Sequence, residues 1–350
     1  MKKYLLLIVL ISSSFCFAQV KKIILFDAID NEKINDVKIL SDKGIYLTSS
    51  NSQGLIVLDF KHLEENKIQS IETSHFLYEI EKLEIDKLPD TLKMVKKINQ
   101  LEEVIISRNK NAKYYKVKVY FRSWRLLDNK LKNFAEGTKE VFMPYDKSKS
   151  NKEYYTEYVT YKDSSSHKNF VDISFGGDGY LFTKIPAEDY FTRYKHLYKL
   201  NKNSETDFDL LEDSVNVGYV RFDINNLLSE VNKNDVAENI KFLGKSLSYK
   251  NYAFERWKND TPRHLSMSRN VIFKEISTKN KSYSIETVTE LFVEDIEYSE
   301  QKPEKYKNLV NPDKSFFSSA FFKTFRTEHP LQKDIENQIQ NIQKNENTYN

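Results

Sequence analysis

Residues 113–127, KYYKVKVYFRSWRLL, repeat with a period of two: Tyr115, Val117, Val119 and Phe121 fall on one parity, and Lys116, Lys118, Tyr120, Arg122 and Trp124 on the other. Successive side chains of a strand point to opposite faces, so this run predicts a β-strand with one apolar and one basic-aromatic face. EYYTEYVTY, 153–161, alternates in the same way. KEVFMPY, NFVDISF, NVGYVRF, LSYKNYAFERW, NVIFKEI and the long SYSIETVTELFVEDIEY add further candidates, with turns at Gly176–Gly179 and Lys279–Lys281. Together they predict about seven to nine strands in an antiparallel, β-rich region.

Helical spacing interrupts this region. EDYFTRYKHLYKL places Tyr190, Phe191, Tyr194, Leu197 and Tyr198 on one helical face, and KSFFSSAFFKTF does so with Phe316, Phe317, Ala320, Phe321 and Phe325. A last helix is expected from Pro330, which suits a first turn, through Leu331, Ile335, Ile339 and Ile342.

The chain opens MKKYLLLIVLI, two lysines and a short apolar run, followed by small polar residues. That order is the pattern of a secretory leader, and the run is well short of the ~20 residues of a membrane span. The only cysteine, Cys16, follows Phe15, a poor neighbour for a lipid-anchoring cleavage, so cleavage is expected after Ala18 with the mature chain starting at Gln19. The mature chain then has no thiol or disulfide, and its cores hold by burial, for which 39% hydrophobic and 13% aromatic residues suffice. Export to the periplasm or to the outer-membrane region, with no transmembrane span in the mature chain, is the expected location.

The formal charge of +3 includes Lys2 and Lys3, so the expected mature chain is near neutral and implies no nucleic-acid partner. Charge is unevenly placed: 19–107 holds 12 lysines against 16 acidic residues, and 108–160 holds 13 basic against 6 acidic ones. That change of sign marks a domain boundary. The expected organisation is a leader at 1–18, a first domain at 19–107, a β-rich α+β domain at 108–326, and a C-terminal helix with a polar tail at 327–350.

The first domain reads as short strands separated by turns, an antiparallel sandwich. Its pieces are Ile23 to Phe26 with Asp27, Ile34 to Val37 before a second strand, the turn Ser49 to Gly54 leading into Leu55 to Leu58, Ser70 to Phe76, and the terminal LEEVIIS. In this order, behind a leader, they resemble the carboxypeptidase regulatory-like domain, a transthyretin-like sandwich at the front of many exported proteins of the Bacteroidetes. The resemblance covers about a quarter of the chain. It implies a non-enzymatic domain and brings no catalytic residue. Asp36 and His75 stand where the family carries glycine. After Ser107 too little chain remains for the barrel of about 22 strands that a plugged outer-membrane transporter needs.

Motifs for chemistry are sparse. No two of His62, His75, His167, His196, His264 and His329 have zinc-pair spacing, so neither a metal nor any other cofactor is expected. FGGDGY lacks the Lys-Ser or Lys-Thr of a phosphate loop, and Asp178-Gly179 suits a hairpin turn. No Gly-x-Ser-x-Gly elbow is present. The neighbours Glu102 and Glu103, and Glu294 and Asp295, would point to opposite faces of a strand and make no site alone. The candidate ligand-binding row is Lys116, Lys118, Tyr120, Arg122 and Trp124, with Arg125 as an extension, since cations and aromatic rings alternating along a strand suit phosphates or acidic glycans. The expected function is a non-catalytic binding or scaffolding module of the cell envelope that contacts an anionic or apolar envelope component. Two alternatives stay open: a lipid or lipoprotein carrier with an aromatic-lined cavity, and a hydrolase whose site is scattered along the chain.

Overall fold

The computed structural model describes residues 20–75, 78–96, 113–145, 151–162, 182–223, 225, 227–242, 245–258, 264–277, 282–299, 326 and 329–348. The expected leader, LEEVIIS, NFVDISF, FGGDGY and KSFFSSAFFKTF lie outside these residues. The fold is mainly β, with almost wholly antiparallel sheets and a C-terminal helix. The chain divides into two compact units at Glu102/Glu103, with Leu331–Gln340 assigned to the first.

In the first unit, β1 (Val20–Asp27) lies between β4 (Leu55–Asp59) and β7 (Thr91–Met94) in one sheet. A second sheet runs β3 (Tyr46–Ser49), β2 (Lys38–Ser41), β5 (Ser70–Ser74), β6 (Lys82–Glu84). The two sheets share one core, with Ile23, Leu25, Ile39, Ile56, Leu58, Ile71 and Met94 all nearly inaccessible. Contrary to a fully antiparallel arrangement, β1 and β7 pair in parallel. Asp36 has φ 57°, the left-handed region that favours glycine. Asp27 closes the turn after β1: its carboxylate accepts from the backbone N–H groups of Ile29 and Asp30 and from the Tyr78 hydroxyl at 2.7 Å. Burial alone would raise this carboxyl, and those donors outweigh it and lower it.

The C-terminal helix, Lys333–Thr348, begins three residues after Pro330. Its first part, up to Gln340, groups with the first unit. Leu331, Ile335 and Ile339 are buried, as the spacing predicts. Asp334 faces the almost buried Lys38 at 3.9 Å, and Asn337 donates to the Lys43 carbonyl at 2.8 Å.

The second unit is one ten-stranded antiparallel sheet, larger than the sequence suggests. Its strands are β8 (Tyr114–Leu127), β9 (Lys130–Pro144), β10 (Lys152–Lys162), β11 (Lys199–Lys202), β12 (Asp207–Glu212), β13 (Val215–Phe222), β14 (Leu228–Phe242), β15 (Lys245–Lys258), β16 (His264–Ser277) and β17 (Ser282–Ser299). The sheet order is β10-β9-β8-β17-β16-β15-β14-β13-β12-β11, so two meanders join where β17 pairs with β8. Asp128-Asn129 and Asp213-Ser214 make the β8–β9 and β12–β13 turns with positive φ at both residues, the geometry that matches strand twist in a two-residue hairpin. Gly137 sits inside β9, where a β-carbon would collide with the Glu157 carbonyl and Tyr158 of β10.

Instead of a helix over 188–200, the structure has one turn at Tyr190–Tyr194, capped by Asp189, and a 3-10 turn at Lys195–Leu197 before β11 starts. Residues 182–198 lie as a strap on one face of the sheet. The backbone N–H of Ile185 bonds Glu153 of β10, and that of Tyr190 bonds Glu255 of β15, five strands away.

Candidate functional site

β8 is the third strand from one edge of the long sheet, and its two parities face two different interiors. Val117, Val119 and Phe121 join the core under the strap. On the other parity the five predicted ligand-binding residues separate into two groups. Lys116 and Lys118, toward the start of the strand, reach solvent and pair with carboxylates: Lys116 with Glu297 at 2.8 Å and Glu140 at 3.3 Å, Lys118 with Glu294 at 3.3 Å. Tyr120, Arg122 and Trp124 are buried. The row is thus not open along its length, because the second face of the sheet is covered in its middle.

What the buried half builds is a charge cluster. Arg122, only 2% exposed, donates from Nε to Glu290 Oε2 at 2.7 Å, and its second terminal nitrogen lies 2.5 Å from the same oxygen. The Arg269 guanidinium holds the other oxygen of Glu290. Tyr120 donates to Glu136 Oε2 at 2.8 Å, and Arg326 binds Glu136 Oε1 through two nitrogens at 3.1 and 2.6 Å. Burial alone would raise Glu290, but the Arg122 and Arg269 guanidinium groups bring it down to about 2. Burial, with the Glu136 carboxylate beside it, holds the Tyr120 phenol far above its usual range despite the Arg122 charge.

His329 completes the cluster. Its carbonyl accepts from Arg122 Nη1 at 2.8 Å, and its ring stacks on Phe292 at 4.1 Å between centroids and on Tyr120 at 5.8 Å. Burial and then the Arg122 charge lower the imidazole to about 4. The folded protein therefore binds fewer protons here than the unfolded chain between about pH 4 and 6.5. The stabilisation is complete above pH 6.5 and is lost as pH falls through that window. Discounting for the ring's partial exposure, acidification from pH 7 to 5 is expected to cost about 1 kcal/mol, or about 3 °C of melting temperature. His329→Phe, which keeps the stack, should remove that slope in a melting series, and an unchanged slope would refute the assignment.

Sequence reasoning missed Glu136, Arg269, Glu290 and Arg326, and assigned His329 no role. One signal was available: Glu290 shares parity with Val288 and Phe292 in β17, and a carboxylate within an apolar face needs a cation.

The opposite face carries the strap. Phe182 packs its ring against Phe121, Tyr155 and Tyr158. Buried Lys139 donates to Glu153 at 2.9 Å and to the Thr183 carbonyl at 2.5 Å. Burial lowers this ammonium although Glu153 opposes the shift. Glu255 accepts from Tyr190 N–H at 2.8 Å and Trp257 Nε1 at 3.0 Å, and it pairs with Arg193. Lys233 lies over the Tyr198 ring at 5.0 Å. Charged groups thus pin both ends of an aromatic strap.

Among the described residues no three His, Cys, Asp or Glu side chains converge as metal ligands, and no helix is long and apolar enough to cross a membrane. No protein-family model and no curated protein matches the chain. Among solved structures, a lipovitellin structure described by its lipid–protein interactions is similar over 55% of this chain and 26% of that one, at 10% identity and a TM-score of 0.25. The chain thus spans about a quarter of that protein's length.

Proposed function

We propose that the protein is an exported, non-catalytic binding or scaffolding module of the bacterial cell envelope that recognises an anionic component through its long sheet. The observation that carries this reading is the strap: the aromatic face of the sheet is covered by residues 182–198, pinned by Lys139, Glu153 and Glu255. With that face covered, recognition falls to the polar side chains around it. Exposed ion pairs such as those of Lys116 and Lys118 are worth little individually, so a multivalent anion exchanges for them at small cost. The leader pattern of 1–18 supports export. For the first unit we propose a carboxypeptidase regulatory-like domain. Asp36 supports this, since it takes a left-handed backbone where that family has glycine.

Binding of the purified mature chain to anionic glycolipid vesicles and acidic polysaccharide, at low and raised salt, tests the proposal. Binding should weaken with salt and with Lys116→Ala/Lys118→Ala, whereas no binding to any envelope anion would overturn it. The carrier reading requires the strap to leave the aromatic face. Saturable, salt-independent uptake of a fluorescent fatty acid would favour it.

A further inference from the structure

Among the described residues of the second unit, the exposed large apolar side chains are unevenly placed. Tyr194, Leu197 and Val215 are 40%, 47% and 63% exposed, and the topology brings them to one corner of the long sheet. Leu197 ends the 3-10 turn of the strap, two residues before β11 begins. The first residue of β11, Lys199, pairs with Leu211 of β12, whose other partner is Asn216 of β13. Val215, one residue further at the hairpin tip, thus lies about two strand spacings, roughly 10 Å, from the end of the strap. It is also on the strap's side of the sheet. Its cross-strand partner Glu212 reaches Lys233 at 3.6 Å, and Lys233 lies over the Tyr198 ring.

The corner is cationic as well as apolar. Residues 190–204, YFTRYKHLYKLNKNS, hold four lysines or arginines and His196, and no carboxylate. Lys195, His196 and Lys199 are exposed. Arg193 pairs with Glu255, and its guanidinium lies over the Tyr194 ring at 5.9 Å, supporting that ring from one side. Of the hairpin's two acids, Glu212 takes Lys233, and Asp213 stands in the tight turn two residues before Val215. An apolar tip flanked by lysines suits the surface of an anionic bilayer. The apolar side chains and the tyrosine enter the headgroup region, and the lysine stems follow while their ammonium groups meet the anionic headgroups. A protein partner requires more, since a stable interface takes about 20–30 residues a side.

We propose that Tyr194, Leu197 and Val215, with Lys195 and Lys199 beside them, form a docking surface for an anionic phospholipid bilayer. The proposal rests on the envelope-binding reading and names its anionic component as a lipid surface. It assigns the contact to side chains other than Lys116 and Lys118. Docking needs no release of the strap, because all five side chains already reach solvent.

Co-sedimentation of the purified mature chain with vesicles containing phosphatidylglycerol, and with vesicles of phosphatidylcholine alone, tests it. The protein should bind the first about tenfold or more tightly than the second. Equal binding to both would overturn the proposal. Leu197→Ser/Val215→Ser and Lys195→Glu/Lys199→Glu should each weaken binding to the anionic vesicles about tenfold or more. All four side chains are exposed, so both variants are expected to keep the melting temperature of the wild type. Insertion has its own readout. The mature chain expected from the leader has no cysteine, so Val215→Cys takes a single environment-sensitive dye, whose emission should shift to the blue on binding and be quenched by brominated lipid. A dye that stays in water while the protein binds would refute the surface. If Lys116→Ala/Lys118→Ala weakens vesicle binding and the two corner variants do not, the surface is refuted while the wider binding reading stands. Self-association abolished by Leu197→Ser/Val215→Ser, without vesicle binding, would make the corner a protein interface and overturn the proposal. Failure of every anion, lipid or polysaccharide, to bind would remove both readings.

Discussion

Replacing Glu290 by Gln is expected to destabilise the second unit by about 3–5 kcal/mol, the usual effect of removing one partner of a buried ion pair. Glu290 is 1% exposed and is the carboxylate shared by Arg122 and Arg269. The amide keeps the shape and one acceptor but carries no charge. Two guanidinium groups would then face each other in a site with little water. Arg122, buried on β8, cannot turn outward without leaving the His329 carbonyl it also holds.

The measurement is urea unfolding of the wild type and the variant, followed by the fluorescence of Trp124 and Trp257. Lys118→Ala is the comparison: its partner Glu294 lies at a surface where side chains are half-open, so a loss within about 0.5 kcal/mol is expected. A second variant separates charge from packing. Arg122→Met/Glu290→Leu removes the buried cation together with its acid and leaves only Arg269, 14% exposed, to turn toward water; since apolar replacement of a buried pair is often close to neutral, it should be more stable than Glu290→Gln alone. A double variant as unstable as the single one would show that the loss is one of shape and not of unpaired charge.

The period of β8 was fully legible, and its surroundings were not. Alternation assigns Tyr120, Arg122 and Trp124 to one face, but a lone strand does not reveal whether that face meets water. The partner that decides it, Glu290, lies 168 residues away. For the same reason β14, LSEVNKNDVAENIKF, escapes notice: Asn232, Lys233 and Asn234 give no apolar alternation, and its place is set by pairing with β13 and β15. The strap shows the opposite failure. Tyr190, Phe191, Tyr194, Leu197 and Tyr198 have helical spacing, yet Tyr194 and Leu197 are 40% and 47% exposed. Tertiary bonds from Glu255 to Tyr190 and Arg193 hold the segment to the sheet after one turn, overriding a local preference worth only tenths of a kcal/mol per residue. The apolar stripe of the final helix is legible at Leu331, Ile335 and Ile339, all of them buried, because that part of the helix meets its neighbours along a single face.

That helix supplies the other large effect. Removing residues 331–350 is expected to destabilise the first unit by on the order of 4 kcal/mol, from two sources. Leu331, Ile335 and Ile339 are at most 9% exposed, and a buried aliphatic side chain contributes about 1.5–3 kcal/mol, of which the helix itself returns part as ordering entropy. Lys38, 7% exposed in β2, faces Asp334, and truncation also removes this charge pair. Lys333 adds bonds to the Asp42 carbonyl at 3.0 Å and to Glu72 at 3.1 Å, tying the helix to β5 and to the β2–β3 turn. Amide hydrogen exchange is the sensitive readout, because the loss should concentrate in Lys38–Ser41 and Ser70–Ser74. Protection there should fall by about a thousandfold in the truncated chain. A synthetic peptide of residues 329–348 added in trans should restore protection at saturating concentrations. Unchanged protection in β2 and β5 would mean that the helix rests on the first unit without stabilising it.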